Sequence, residues 1–276
     1  MFPKLSKSYK GRYPFRLSVP SFIYPAGYAA NVRELAPFVD EIELLLFESA
    51  PHCLPTLEEI DQLANLSRQH GLTYNVHLPI DLFPGSQDPR QRRHAVNRLS
   101  HIIDFVRPLA PVTHTLHLPS AGYPHDAPAE QAWQHRCMQC LTELFAAVDL
   151  APQQMSLETL DYPPQWLEPV VTHFDMAVCV DVGHLLHHCH ALNQTLDRYG
   201  HRIEIVHLHA VAGNKDHRPL THLDPPTIRC LQKFLSTFTG SVSIEVFSFE
   251  YLALSLVHLD RVMAPSGTVA PNTEAC

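Results

Sequence analysis

Eight short apolar runs, each followed by a stretch of helical periodicity, govern what this chain can fold into. The runs are 15–19, 41–47, 73–78, 112–118, 155–160, 177–182, 203–209 and 241–246. Between them, Ala95, Leu99, Ile102, Ile103 and Val106 recur at helical spacing, as do Leu252, Leu256, Leu259 and Met263 near the end. Gly71 stands where it would cap the second helix, just before the third run. Strand–helix alternation implies right-handed βαβ units and a parallel sheet. Eight such units predict an α/β fold, a single (β/α)8 TIM barrel, which typically needs about 250 residues; the chain has 276. An open doubly wound sheet is the alternative, but no Gly-x-Gly-x-x-Gly follows the first run. The barrel is expected over residues 1–263. Residues 264–276 lack periodicity and are expected to form a disordered tail.

The ends of the runs carry the chemistry. The chain holds 20 histidines. Several close an apolar run or stand near an acidic residue, as in Asn75-Val-His77-Leu-Pro, Leu116-His117-Leu-Pro, Leu157-Glu158-Thr, Val180-Asp181-Val-Gly-His184, Val206-His207-Leu-His209 and Ile244-Glu245-Val. A parallel barrel keeps its active site at the carboxyl ends of its strands, so closure brings these groups to one mouth. Leaving them buried and unpaired is costly, and a divalent metal removes that cost. Neutral imidazole and carboxylate suit Zn, Mn and Fe. Gly183 is expected to let the chain turn sharply after Asp181, so that His184 reaches back to the mouth. His207 and His209 share a strand face; one would bind metal and the other support it. His187, His188 and His190 are expected to begin a helix rather than ligate. Asp216 and His217 lie in the long segment 211–224 and would close a further metal position; a solvated turn is the plainer reading. These donors exceed one ion's need and favour two or three ions. Clustered divalent ions suit phosphoester cleavage.

Composition narrows the partners. The formal net charge is −8, and the densest basic cluster is Arg90, Arg92 and Arg93. No nucleic-acid partner is expected. No apolar stretch reaches membrane-spanning length, and the N-terminus has basic residues without the apolar core of a secretory signal. The seven cysteines are scattered. Cys137 and Cys140 fall in a helical stripe with Trp133, Leu141, Leu144 and Val148, which reads as core packing. Reduced thiols and the missing signal suggest the cytoplasm.

The ordered set His77, His117, Glu158, Asp181 with His184, a histidine on the seventh strand, Asp216/His217 and Glu245 resembles that of the xylose-isomerase-like barrels. That superfamily includes endonuclease IV-type enzymes and ketose 3-epimerases. The resemblance implies that Glu158 bridges two metals. One departure is visible: the endonuclease IV pattern has Asp-x-His after the seventh strand, whereas Asp216 and His217 are adjacent here. Local phrases resemble the cobamide-remodelling phosphodiesterases, the CbiR family. They are Tyr9-Lys-Gly-Arg-Tyr-Pro-Phe-Arg16, Leu45-Leu-Phe-Glu-Ser49, His77-Leu-Pro-Ile-Asp-Leu82, Glu158-Thr-Leu-Asp-Tyr-Pro163, Asp181-Val-Gly-His-Leu-Leu186, Lys215-Asp-His217 and Glu245-Val-Phe-Ser248.

This second resemblance implies hydrolysis of the nucleotide loop of a cobamide substrate, leaving a cobinamide phosphate and an α-riboside. It casts Glu158, Asp216 and His217 as catalytic, and the loops 79–89 and 161–164 as contacts for the corrin or base. Glu48, Asp81, Tyr162 and His222 are the expected substrate contacts. Three rivals stand beside it: an abasic-site endonuclease, a single-metal sugar epimerase using Glu158 and Glu245 as an acid–base pair, and a non-catalytic corrinoid- or metal-binding protein.

Overall fold

The computed structural model of the chain describes residues 2–120 and 126–264. Among these, eight parallel strands close into a barrel: β1 (Arg16–Pro20), β2 (Glu41–Leu45), β3 (Thr73–His77), β4 (His114–Leu116), β5 (Met155–Glu158), β6 (Ala177–Asp181), β7 (Ile203–His207) and, after a hairpin of β8 (Ala210–Ala212) and β9 (Lys215–Arg218), β10 (Ser241–Ser243). Strands β1 to β7 pair in chain order, and β10 pairs with both β7 and β1. Every predicted run coincides with one barrel strand, the first ending one residue short of it, so the (β/α)8 expectation holds. Most runs outlast their strands because the final residues leave the ladder for the mouth. From residue 265 onward, the expected tail lies outside the described residues.

The helices α1 (Tyr28–Leu35), α2 (Leu57–His70), α3 (Pro89–Val106), α4 (Ala127–Ala147), α5 (Glu168–Phe174), α6 (Val182–His187), α7 (Leu192–Tyr199), α8 (Pro225–Leu235) and α9 (Phe249–Val262) surround the barrel. Their boundaries follow local chemistry. Thr56 and Glu59 form a reciprocal capping box at the start of α2, and Gly71 ends it in the left-handed conformation at φ 57°. The Cys137/Cys140 pair is buried on α4 as core, with burial pushing the Cys140 thiol up to about 12.

Strand alternation divides the barrel into two layers. Leu17, Val19, Ile42, Leu44, Tyr74, Val76 and Leu157 face outward and are fully buried with helix residues such as Val32, Leu35, Leu63 and Leu99. The inward layer is polar, unlike the branched aliphatic filling common in such barrels. Asn75 donates to Ser18 Oγ (3.0 Å) and Glu41 Oε1 (2.7 Å), and Thr73 donates to Glu41 Oε2 (2.9 Å). Arg16 pairs with Glu41 and Glu204 at the strands' amino ends. Burial nevertheless holds the Glu41 carboxyl above its usual range, against bonds from Ser241 and Asn75 and the nearby Arg16 charge. A hydrogen-bonded polar floor therefore underlies the mouth, although Asn75 Oδ1 and Thr115 Oγ1 within it are buried without a partner.

The segment 211–224, expected as a long loop, instead carries the antiparallel hairpin β8–β9 with Gly213 at φ 61° in its turn. The hairpin folds His217 back over the barrel.

His114 begins β4 on the outward parity and is almost fully buried. Burial lowers its pKa to about 4, despite a bond from Nδ1 to the Gln154 carbonyl at 3.3 Å. Its folded pKa lies below the unfolded value, so its contribution to stability is complete above about pH 6.5 and is lost as pH falls towards 4. The linked free energy is about 3 kcal/mol. In urea unfolding at pH 7 and pH 4.5, His114→Gln should lose roughly 2–3 kcal/mol less between the two pH values than the parent. Equal losses would refute this account.

Candidate metal centre

The inward residues that end the strands converge at the carboxyl mouth. Glu158 Oε2 lies 3.2 Å from His77 Nε2, 3.0 Å from His117 Nε2 and 3.4 Å from His207 Nδ1. Its other oxygen, Oε1, lies 3.4 Å from His184 Nδ1. Glu245 Oε2 is 3.3 Å from His207 Nδ1, and Asp181 Oδ2 is 3.6 Å from His184 Nδ1. His77, Glu158, Asp181, His207, His209 and Glu245 are all buried, while His117, His184 and His217 keep an edge towards solvent. Several triads here bring their ligand atoms within 4.8 Å of one another, including His77/His117/Glu158, His77/His207/Glu245, Glu158/Asp181/His184 and His184/His209/His217.

Backbone contacts aim the rings. His77 Nδ1 bonds the Leu78 carbonyl at 2.9 Å, His217 Nδ1 bonds the Glu245 carbonyl at 3.0 Å, and His184 Nδ1 lies 3.3 Å from the Thr159 carbonyl. Only a protonated Nδ1 can donate to a carbonyl, so in His77 and His217 this nitrogen carries a proton and Nε2 is the one that turns to the cluster; His184 Nδ1 also faces Glu158 Oε1 at 3.4 Å, and its carbonyl contact assigns no tautomer. His209 differs. Its Nδ1 accepts the His217 backbone N–H at 2.9 Å, and its Nε2 lies 3.1–3.2 Å from both Asp181 oxygens. Both ring nitrogens thus have protein partners. Asp181 also caps α6, accepting the His184 N–H at 2.6 Å.

The centre fits metal. His117 Nε2, both His207 nitrogens and Glu245 Oε2 are buried without a well-formed hydrogen bond, although opposite partners lie close. Such atoms cost about 1–3 kcal/mol each when left unsatisfied, and their lone pairs suit a divalent ion. Without one, charge is balanced by protons. Burial opposes the Glu158 charge, but His117 and His207 hold its carboxyl well below the usual range. Burial likewise opposes the His184 charge, yet Asp181 and Glu158 raise its pKa to about 10. His207 is also raised, burial being outweighed by Cys179, Glu43 and Glu245. A bound cation would displace these protons.

The other expected residues divide. Asp216 is at the margin: the hairpin register shifts here and His217 takes a left-handed conformation at φ 49°, so its ring turns towards His209 while the Asp216 carboxylate remains 45% exposed, 3.8 Å from His217 Nε2. Asp81 accepts from Ser49 N and Oγ at 3.0 Å, bracing two mouth loops. Glu48 is exposed above β2, and His222 is exposed on the turn Leu220–His222. Tyr162 is a correction. It is fully buried, donates to the Leu118 carbonyl at 3.1 Å and stacks on Trp166, so it packs the wall beneath the mouth and offers a substrate nothing. His187, expected to begin a helix, ends α6; His188 and His190 lie beyond it.

Two inward groups escaped the sequence reading. Glu43 Oε1 lies 2.7 Å from His207 Nε2, and Ser243 donates to the other Glu43 oxygen. Cys179 forms a candidate donor set with Glu158 and His207. Their signal was parity: Glu43 follows Glu41 by two positions, and Cys179 precedes Asp181 by two. Gly183 has a different reason from the one expected. Its φ is not left-handed; instead a Cβ there would lie 1.9 Å from His209 Cε1. Gly183→Ala should therefore push His209 off Asp181. Folding should persist by circular dichroism, while metal affinity in competition titration falls about 10–100-fold. Unchanged affinity would remove His209 from the centre's support.

Residues 32–256 match the model of the AP endonuclease 2 family, a xylose isomerase-like TIM barrel. No curated protein matches the chain. Among solved structures, a D-tagatose 3-epimerase-like protein is similar at TM-score 0.72 and 18% identity, covering 90% of this chain and 97% of its own. Endonuclease IV from Thermus thermophilus is similar at TM-score 0.68 and 16% identity, covering 90% and 98%. The IOLI protein with a binding zinc atom is similar at TM-score 0.68 and 14% identity, with the same coverage of 90% and 98%. These identities speak for the fold alone, and with the family match across most of its length the chain belongs to the xylose isomerase-like TIM-barrel family.

Proposed function

We propose that the protein is a metal-dependent phosphodiesterase that opens the nucleotide loop of cobamides. One observation carries the hydrolase reading: the two oxygens of Glu158 face different sets of imidazoles, Oε2 towards His77, His117 and His207 and Oε1 towards His184. A carboxylate so placed would be able to serve two ion positions at once. A single-ion epimerase has no need of this and leaves His77 and His117 unused. The cobamide substrate rests on the sequence phrases around Glu48, His77, Glu158, Asp181, Asp216 and Glu245.

Two or three divalent ions, Zn, Mn or Fe, would supply hydroxide near neutral pH and offset charge on the phosphoryl oxygens. His77, His117, Glu158, Asp181, His184, His207 and Glu245 would hold them. His209, with both nitrogens engaged, fixes Asp181 rather than ligating. His217 Nε2 completes the side nearest the hairpin. A water oxygen forms the new bond to phosphorus as the ester P–O bond breaks in line. The proton lost by water is matched by one gained by the leaving alkoxide, which the exposed Asp216 carboxylate at the rim would relay. Glu48, Asp81 and His222 would contact the substrate from the mouth loops.

Purified protein loaded separately with Zn, Mn or Fe and incubated with cobalamin should yield cobinamide phosphate and α-riboside by mass spectrometry. Intact cobalamin with every metal would overturn the proposal. Glu158→Gln should lower turnover by roughly 10²–10³-fold or more, the scale on which losing one charge-stabilising group acts. Near-parental turnover would remove the bridging role.

A further inference from the structure

Beside the metal centre, a cleft of about 290 Å³ opens between the loop that follows β1 and the loop that follows β2. Ser21, Phe22, Tyr28, Phe47, Glu48 and Cys53 form most of its wall. Phe22 is 49% exposed and Phe247 36%, and exposed apolar rings gathered in one place mark a binding surface. The rings continue towards the chemistry. Phe22 meets Phe47 edge-on at 6.0 Å, Phe47 meets Phe247 edge-on at 5.8 Å, and Phe247 lies 4.6 Å from the His217 ring. An aromatic wall therefore runs from the cleft to the rim of the donor cluster.

The cleft's polarity is one-sided. Tyr28 spends its hydroxyl on the Leu45 and Cys53 carbonyls, and Ser21 Oγ accepts the Leu45 N–H. Glu48 accepts the Cys53 thiol at 3.3 Å through Oε2, while its Oε1 has no partner among the described residues. No lysine or arginine lines the space. A carboxylate without a counter-cation repels phosphate and accepts N–H groups. Flat walls favour a flat guest.

We infer that this cleft is a substrate subsite for a neutral, flat apolar ring system whose edge bears N–H donors, held by Phe22 and Phe47 and read by Glu48. The inference rests on the phosphodiesterase reading in placing the scissile ester at the metals, two ring contacts away. The aromatic wall positions the group; the Glu48 acceptor discriminates amide- or amino-edged rings from those without a donor, because a ring without one would cover this exposed carboxylate, taking its water without replacing it.

The shared chemistry has two sources in such a substrate, an amide-edged macrocycle or an amino-substituted heterocyclic base. Calorimetric titration of the metal-loaded protein with dicyanocobinamide and, separately, with adenosine distinguishes them. Binding of dicyanocobinamide, weakened about tenfold by Glu48→Gln and by Phe22→Ala, assigns the cleft to the macrocycle. The same pattern with adenosine assigns it to the base. Binding of neither probe, or binding that both variants leave unchanged, overturns the subsite. Steady-state kinetics on cobalamin gives the second readout: with the macrocycle in the cleft KM should rise about tenfold in either variant, whereas with the base there only Phe22→Ala should raise it, since dimethylbenzimidazole has no N–H donor; kcat stays within about threefold in both cases. A loss of kcat alone would count against the subsite. Probe binding that both variants weaken, in a protein that leaves every phosphodiester intact, would sink the hydrolase reading and leave the subsite standing.

Discussion

A carboxylate at the centre of a closed barrel has almost no water to solvate it, and Glu158 keeps its charge there only because imidazoles surround it. Desolvation pushes such a group towards neutrality; His117 and His207 more than reverse that push. The surrounding structure follows from this requirement. The imidazoles must come from different strands, since one strand delivers only one inward side chain at a given height. β3, the end of β4, β7 and the start of α6 each supply one. Shortening any of these strands by a single residue would reverse the parity of its end and turn its donor towards the helices.

Aim is imposed separately from position. His77, His184 and His217 are turned by backbone carbonyls, a device needing no additional side chain. Asp181 is held from two sides, by the backbone N–H of His184 and by the His209 ring. That ring sits so close to Gly183 that no larger residue fits. Strand β9 then delivers the His217 N–H to the other His209 nitrogen. Hairpin, glycine and histidine thus form one support, assembled from segments 26 and 34 residues apart along the chain from Gly183.

Much of this was legible because barrels translate periodicity into geometry. Short apolar runs located all eight barrel strands, and most of these runs end near a residue that the structure brings into the candidate cluster. What stayed hidden had a common cause: it depended on contacts across the barrel. Tyr162 follows Glu158 closely, and only the Leu118 carbonyl and the Trp166 ring reveal that it points into the core. His207 and His209 are equivalent by parity, and only the partners of their nitrogens separate them. The 211–224 segment has too few apolar residues to announce a strand, because its hairpin is stabilised by the cluster beneath it. Glu43 was readable by alternation but stood too early in its run to look like a mouth residue.

The solved neighbours include an epimerase-like protein and an endonuclease on this same barrel, so the fold leaves the reaction open. What separates such chemistries is the number of donors at the mouth and the character of its rim. Proton transfer beside a carbonyl needs one polarising centre and two carboxylates at suitable distance. Phosphodiester cleavage develops charge on attacking, leaving and non-bridging oxygens together, and so benefits from several cations held close to one another. Mutual repulsion forbids that closeness unless anions lie between them. Glu158, Asp181 and Glu245, each buried and each facing more than one imidazole, are what a crowded set of cations requires. In that sense the histidines set where cations would sit, and the three carboxylates set how many can sit together.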